Sequence, residues 1–107
     1  MKKYIAELTE TTEKDLTNII LYIKNTLLED LIADKYKLLF KKELKNLENR
    51  AGSMQILDEK LTGHKDIRKI NIKNYIVFYI VDESNSKAIV LRIGHAFMDW
   101  EKYLKDE

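Results

Sequence analysis

The first half of the chain places apolar residues at intervals of three and four, which is the spacing of one face of an α-helix. A short alternating segment, Tyr4 to Leu8, precedes this pattern and predicts a first strand. The apolar positions of the first helix are Leu16, Ile19, Ile20, Ile23 and Leu27. The second helix should run from about Asp30 to about Arg50, with apolar positions at Ile32, Tyr36, Leu39, Phe40, Leu44 and Leu47. The two stretches therefore predict a helical hairpin with one apolar face.

The ends of these helices must be marked by polar residues, because the chain contains no proline. The segment from Thr9 to Thr12 offers several N-cap residues for the first helix. Thr12 and Asp15 stand three positions apart and resemble a capping box, with Asp in the place of the usual Glu. Glu29 and Asp30 suit the start of the second helix, where the helix dipole favours negative charge. The joint between the helices should therefore lie at about residues 28–30.

In the second half of the chain the apolar spacing changes to two, which is typical of strands. Ile67 to Ile72 predicts a strand with Arg68, Ile70 and Ile72 on one face, followed by a tight turn. Tyr75 to Val81 is apolar at every position, which predicts a central strand covered on both faces. The last strand should run over residues 87–95, with Ile89, Leu91, Ile93 and His95 on one face and Ala88, Val90, Arg92 and Gly94 on the other.

This order of elements predicts an α+β fold within a single domain, residues 1–107. An N-terminal strand and a helical hairpin precede a small antiparallel β-sheet, and Met98 to Leu104 forms a short C-terminal helix. The hairpin should cover one face of the sheet. We expect the other face to be partly open and to carry the function.

The composition excludes several classes of protein. No apolar run approaches the roughly 20 residues of a membrane span, and Glu7, Glu10 and Glu13 interrupt any signal peptide. The expectation is a cytoplasmic protein that does not contact membranes. The chain has no cysteine, which excludes disulfides and thiolate metal sites, and its two histidines, His64 and His95, are too few for a histidine-rich site. Neither a metal nor another cofactor is expected.

The formal net charge of +1 hides an uneven distribution. Residues 1–34 carry −3, residues 35–74 carry +6 and residues 75–107 carry −2. The basic middle segment has two interpretations: it is a binding surface for phosphate or an acidic partner, or it is the solvated face of a helix. The lysines concerned are Lys35, Lys37, Lys41, Lys42 and Lys45.

Short segments of the second half resemble the C-terminal half of RelE/ParE toxins of bacterial type II toxin–antitoxin modules. They are Arg68-x-Ile70, Asn74 to Tyr79, Val81 to Glu83, Val90 to His95, and Asp99-Trp100. Residues 61–64, Leu-Thr-Gly-His, resemble the loop that leads into this sheet, and the order of elements also agrees. The resemblance covers nearly the whole chain. It implies a growth inhibitor that a cognate antitoxin neutralises by wrapping it with an extended or helical segment, in a hetero-oligomer.

The superfamily contains two activities. RelE-like members cleave messenger RNA in the ribosome, whereas ParE-like members poison DNA gyrase and have no established catalytic site. RelE-like toxins typically carry an Arg after the central-strand Tyr and another after the Gly that ends the last strand. Here Ile76 takes the first position, and His95 and Ala96 follow Gly94. Two expected phosphate-stabilising cations are therefore missing.

The remaining candidates for catalysis are Arg68, Lys69, Arg92, His95 and Tyr103. Cleavage by a 2′-hydroxyl needs a proton acceptor, a cation for the phosphorane and a proton donor. His95 could act as general acid or base, because imidazole exchanges its proton near neutral pH. Tyr103 lies within about a residue of the tyrosine of RelE-like toxins.

Each candidate also has a structural interpretation. His95 could be a strand-end residue capped by a backbone carbonyl, and Tyr103 could pack on the sheet. Arg92 could form an ion pair with Asp99 or Glu101. Trp100 is better explained as the anchor that docks the final helix than as a contact residue.

These observations leave three functional hypotheses. We prefer a ParE-like toxin that inhibits gyrase by binding, because Ile76 and Ala96 replace catalytic cations and the segment His95 to Trp100 resembles a ParE-like tail. The alternative is a RelE-like, ribosome-dependent mRNA endoribonuclease with a reduced set of catalytic residues. A third hypothesis is a non-toxic module that binds a partner through its open sheet face. The sequence does not identify the antitoxin family or the oligomeric state.

Overall fold

The computed structural model describes residues 2–27, 30–63 and 66–105. Its elements are, in order, β1 (Ile5–Leu8), α1 (Glu10–Leu27), α2 (Asp30–Arg50), a 3-10 turn (Ala51–Ser53), α3 (Glu59–Thr62), β2 (Arg68–Ile72), β3 (Tyr75–Asp82), β4 (Lys87–His95) and α4 (Trp100–Lys105). The predicted α+β fold is confirmed. The 3-10 turn and α3 were not predicted, because their segment has no apolar periodicity. The predicted joint between the helices, at about residues 28–30, lies partly outside the described residues, and His64 lies outside them.

The four strands form one sheet in the order β1-β4-β3-β2. The neighbours β2, β3 and β4 are antiparallel, as predicted. The first strand pairs with the last and runs parallel to it, from Ile5 opposite Lys87 to Leu8 opposite Val90. The sheet is therefore mixed. Apolar alternation identifies a strand but carries no information about the direction of its neighbour, so the sequence could not show this.

Each face of the sheet carries its own apolar cluster. The helices α1 and α2 cover the first face, where Tyr75, Val77 and Tyr79 of β3 are buried. On the second face Ile76 and Phe78 pack with residues of the loop before β2 and of α4, namely Leu57, Ile67, Trp100 and Leu104. The second face is thus more covered than predicted. Among the described residues, no helix is long and apolar enough to span a bilayer.

Trp100 is the aromatic contact between α4 and this second face. Its ring centroid lies 5.7 Å from that of Phe78, and Leu104, one turn further along α4, is 1% exposed. The prediction that Trp100 anchors the final helix is confirmed. Docking of α4 matters for the site described below, because the same helix carries Tyr103.

A β-bulge interrupts β4 at Leu91. Phe78 of β3 lies opposite Arg92 while the next residue, Tyr79, lies opposite Val90, so Leu91 has no partner on β3. The extra residue shifts the alternation of side chains by one. Val90 and Ile93 consequently both belong to the core beneath the helices. The predicted division of β4 into two strictly alternating faces is therefore wrong beyond the bulge.

The start of α1 also differs from the predicted capping box. Thr9 is the capping residue, because its Oγ1 accepts the backbone N–H of Thr12 at 3.1 Å. Thr12 is fully buried and its hydroxyl donates to the carbonyl of Val90 at 2.7 Å. Asp15 turns away from the helix end and contacts the sheet. The Thr12–Asp15 spacing therefore reflects two polar groups that face β4, not a cap.

Candidate functional site

Beyond the end of β1, polar residues of the first turns of α1 form hydrogen bonds with the main chain of β4. β1 pairs with β4 only as far as Val90. Beyond that point, the hydroxyl of Thr9 donates to the carbonyl of Leu91 at 3.3 Å, and Asp15 Oδ2 accepts the backbone N–H of Ile93 at 3.1 Å. These bonds satisfy buried main-chain groups that have no neighbouring strand. The bulge and the helix start therefore form one unit.

At the centre of this unit, Arg92 and Asp15 form a two-point ion pair. Arg92 Nε lies 2.9 Å from Asp15 Oδ2, and Arg92 Nη2 lies 2.9 Å from Oδ1. Asp15 is 9% exposed and the Arg92 side chain 19%. The predicted partners of Arg92, Asp99 and Glu101, were wrong. Asp15 is 77 residues away from Arg92 in sequence, and only the fold brings it near.

Tyr103 completes this cluster from α4. Its hydroxyl donates to Asp15 Oδ1 at 2.9 Å and accepts a hydrogen bond from Arg92 Nη2. The Arg92 Cζ atom lies 3.6 Å from the centroid of the tyrosine ring. Burial, and then the hydrogen bond to Asp15, raise the pKa of Tyr103 to about 12. Its phenol is therefore neutral at physiological pH and can donate a hydrogen bond.

Sequence reasoning missed Asp15 as a member of the site. A signal was present, because Asp15 and Thr12 lie on the face of α1 that also carries Leu16 and Ile19. An acid within an apolar helical stripe is costly to bury unless it meets a cation. The position of Asp15 therefore predicts an arginine or lysine partner in the sheet.

Arg68 and Lys69 lie elsewhere on the sheet. Arg68 pairs in register with Tyr79, whereas His95 pairs with Tyr75 at the other end of β3. Four strand positions correspond to about 13 Å. Lys69 is half-buried and lies opposite Phe78, on the second face of the sheet. The structure therefore does not bring the five predicted site residues together.

The guanidinium of Arg68 holds the end of the helical hairpin. Its Nη1 donates to the carbonyls of Ala51 and Met54, both at 3.2 Å. The hydroxyl of Tyr79 donates to the Ala51 carbonyl at 2.8 Å. A cation and a hydroxyl donor thus satisfy carbonyls just beyond the end of α2, where the helix dipole is negative. Arg68 has a structural role in this arrangement.

His95 lies apart from both arginine clusters. Its Nδ1 accepts the backbone N–H of Phe97 at 3.2 Å, which differs from the predicted bond to a carbonyl. An Nδ1 that accepts a hydrogen bond has no proton of its own, so the neutral ring carries its proton on Nε2. In this state Nε2 of His95 can donate a hydrogen bond.

Aromatic rings surround His95. The centroid of Tyr75 lies 5.5 Å from that of His95 in an edge-on arrangement, and the ring of Phe97 lies 5.1 Å away. Burial raises the pKa of Tyr75, with smaller contributions from Tyr36 and Tyr22. A cleft of about 510 Å³ opens between these rings and α1. It is lined by Asn18, Ile19, Tyr22, Tyr75 and His95.

A second concavity, of about 420 Å³, lies between β1 and the two long helices. Its apolar lining consists of Ala6, Leu8, Leu16, Ile20, Phe40 and Leu44. Lys37, Lys41 and Lys45 of α2 also line it, together with Glu48. We call it the lysine-rimmed groove. Part of the basic middle segment therefore borders an apolar surface and is not merely a solvated face.

A family model described as the ParE toxin of the type II toxin–antitoxin system parDE matches residues 6–100. This chain belongs to the ParE toxin family. The match extends from β1 to Trp100, so it includes Asp15, Arg92 and His95, whereas Tyr103 lies beyond its end. The resemblance to the RelE/ParE superfamily found in the sequence is confirmed. The protein is thus a toxin of a type II toxin–antitoxin system.

Solved structures confirm that the toxin has the fold of this superfamily. It is similar to a chain of the toxin–antitoxin complex RelBE2 from Mycobacterium tuberculosis, with a TM-score of 0.61 and 18% identity over 89% of this chain and 93% of that one. It is also similar to a chain of the chromosomal ParDE system of P. aeruginosa, with a TM-score of 0.70 and 16% identity over 87% of this chain and 96% of that one.

A third structure, a conserved hypothetical protein from Helicobacter pylori, has a TM-score of 0.53 and is 26% identical over 86% of this toxin and 93% of that chain. A comparison with curated protein sequences gives no match. At these identities the structural likeness shows the fold.

Proposed function

We propose that this toxin arrests growth by binding DNA gyrase, as a stoichiometric inhibitor and not as a nuclease. The observation that carries the proposal is the state of Arg92. Its guanidinium is held at two points by Asp15 and stacked on Tyr103. The membership of the chain in the ParE family supports the same choice.

The chemistry of RNA cleavage explains why the state of Arg92 matters. A phosphorane needs a cation aimed at its oxygens. To supply one, Arg92 would have to leave a buried carboxylate, which is costly because the charge of Asp15 would stay buried without the guanidinium. Arg68 is no substitute, because its guanidinium is bonded to the carbonyls of Ala51 and Met54. The arginines that the sequence offered as phosphate ligands are both engaged within the protein.

The alternative target is messenger RNA on the ribosome. One observation favours it: His95 is exposed, so in its protonated form it could give a proton to a leaving oxygen. That residue would fill one of three roles. In this alternative, displacement of Asp15 by substrate would have to release Arg92.

We further propose that a cognate antitoxin neutralises the toxin by placing an acidic, amphipathic segment in the lysine-rimmed groove. The groove is apolar at its base and basic at its rim. A helix with apolar residues on one face and carboxylates beside them matches both features. Two of the similar solved structures are toxin–antitoxin systems, which supports an antitoxin partner for this chain.

Paired assays on refolded toxin separate the two targets. In the first, relaxed plasmid, gyrase and ATP are incubated with toxin, and supercoiling is measured. In the second, a translating extract receives the same toxin, and primer extension maps message ends. We expect inhibited supercoiling and intact messages. New message ends that disappear with His95→Ala, together with normal supercoiling, would establish the nuclease instead.

A further inference from the structure

The cleft beside His95 differs in chemistry from the lysine-rimmed groove. Tyr22, which lines it, is 65% exposed, and Phe97, whose ring packs on the lining residue His95, is 84% exposed. Tyr75 forms its buried base, at 7% exposure. Rings that are left in solvent around a concave site mark a place of recognition more often than a core. The cleft is not part of the Arg92 cluster.

The charges near this cleft decide which ligand it suits. None of its lining residues is an acid, a lysine or an arginine. The adjoining hollow on α1, which shares Asn18 with the cleft, is lined by Glu10, Glu13 and Lys14. Two carboxylates and one ammonium leave this rim negative. A phosphate-bearing ligand would be repelled there, whereas a cation would be attracted.

We propose that this cleft binds an arginine side chain from a basic segment of the target protein. A guanidinium is planar, so it can stack on the exposed Tyr22 ring. Its N–H groups can also donate hydrogen bonds to the side-chain carbonyl of Asn18. The same contact already occurs inside the molecule, where Arg92 Cζ lies 3.6 Å from the Tyr103 ring centroid. The inference rests on the proposed function, in which the toxin acts by binding a protein.

The direct test uses the refolded toxin and a short peptide, Gly-Arg-Gly, followed by NMR. We expect shifts of the Tyr22 and His95 signals that saturate at millimolar peptide. Tyr22→Ala should weaken binding about fivefold or more, since a partly desolvated cation–π contact is worth about a fivefold to tenfold change in affinity. Tyr22→Phe should retain it. Leu21→Ala, an exposed neighbour outside the cleft, is the matched control.

Two probes can overturn the proposal. A peptide with citrulline in place of arginine has the same shape without the charge, and it should bind at least fivefold more weakly. Equal binding of the two peptides would contradict a cation site. Tighter binding of adenosine monophosphate than of the arginine peptide, at the same residues, would assign the cleft to a nucleobase.

A gyrase assay distinguishes failure of this inference from failure of the proposed function. If the cleft contacts gyrase, Tyr22→Ala should raise the toxin concentration for half-inhibition of supercoiling about fivefold, with Leu21→Ala unchanged. If the Tyr22→Ala variant inhibits gyrase as well as the unmodified toxin does, the cleft is not the contact with gyrase, and the proposed function stands. Arginine binding by a toxin that does not inhibit gyrase refutes the target and keeps the cleft.

Discussion

Arg92 and Asp15 join the two layers of the toxin through a single pair of hydrogen bonds, each 2.9 Å long. Arg92 belongs to β4 at the bulge, and Asp15 belongs to the helix that covers the first face of the sheet. Tyr103 adds the C-terminal helix, because its hydroxyl contacts both charged groups. The three residues therefore connect α1 with β4 and α4, which lie far from α1 in sequence, and they keep an arginine away from solvent.

Replacing Asp15 by Asn should lower the free energy of unfolding by about 2–4 kcal/mol, because the partly buried Arg92 would lose its ion pair with the Asp15 carboxylate. Urea unfolding of the refolded toxin measures this loss. Lys14→Ala, which removes an exposed pair with Glu10, should change stability by less than about 0.5 kcal/mol. The double variant Asp15→Leu with Arg92→Leu should recover part of the loss. A loss below about 1 kcal/mol for Asp15→Asn would contradict the structural role.

The stability of the toxin should fall as the pH rises from about 10 to about 12. Burial raises the pKa of both Tyr103 and Tyr79 to about 12, whereas an unfolded tyrosine ionises near 10. The folded state thus favours the neutral phenol, and this contribution is complete below pH 10 and lost through pH 12. Urea unfolding at several alkaline pH values shows the decline.

Variants assign that decline to particular residues. Tyr103→Phe should be less stable at neutral pH, by about 1–2 kcal/mol for the lost hydrogen bonds, yet lose less stability between pH 10 and 12. Tyr22→Phe, at an exposed tyrosine, should leave the decline unchanged. An equal effect of the two substitutions would show that the decline comes from alkaline pH in general.

Charge reversal at the lysine-rimmed groove should weaken neutralisation by an acidic antitoxin. We expect Lys41→Glu with Lys45→Glu to reduce antitoxin affinity about tenfold or more, mostly at low salt, because exposed charges are screened at higher ionic strength. Lys35→Glu with Lys42→Glu makes the same change in charge on the same helix outside the groove lining and should have a small effect. Titration calorimetry at two salt concentrations gives both results. Equal losses from both variants would place the antitoxin elsewhere.

The apolar pattern predicted the fold well where each element has a single period. The helix over Asp30–Arg50 and the strand over Lys87–His95 have the predicted bounds. Tyr75 to Phe78 are buried on both faces, as a continuous apolar run implies. The bulge at Leu91 could not be predicted, because the residues on both sides of it are apolar and hide the shift in alternation. The shift shows only when the two strands are paired.

The candidate site was predicted less well, for a physical reason. A polar side chain shows its type in the sequence, whereas its partner is set by long-range packing. Arg92 and Tyr103 do lie together, but around an Asp15 that looked like part of a helix cap. Arg68 contacts carbonyls at the end of α2. Only His95 is both exposed and positioned among residues that could receive a ligand.

The stoichiometry of gyrase inhibition tests the central claim most directly. A fixed amount of active gyrase is titrated with the toxin, and the initial rate of supercoiling is followed. The control is the Asp15→Asn variant, which should have a lower free energy of unfolding. A binding inhibitor should reduce the rate in proportion to toxin and stop it near one toxin per binding site on gyrase. Normal supercoiling at a large molar excess of folded toxin, in a preparation that cleaves translated messages, would contradict the account.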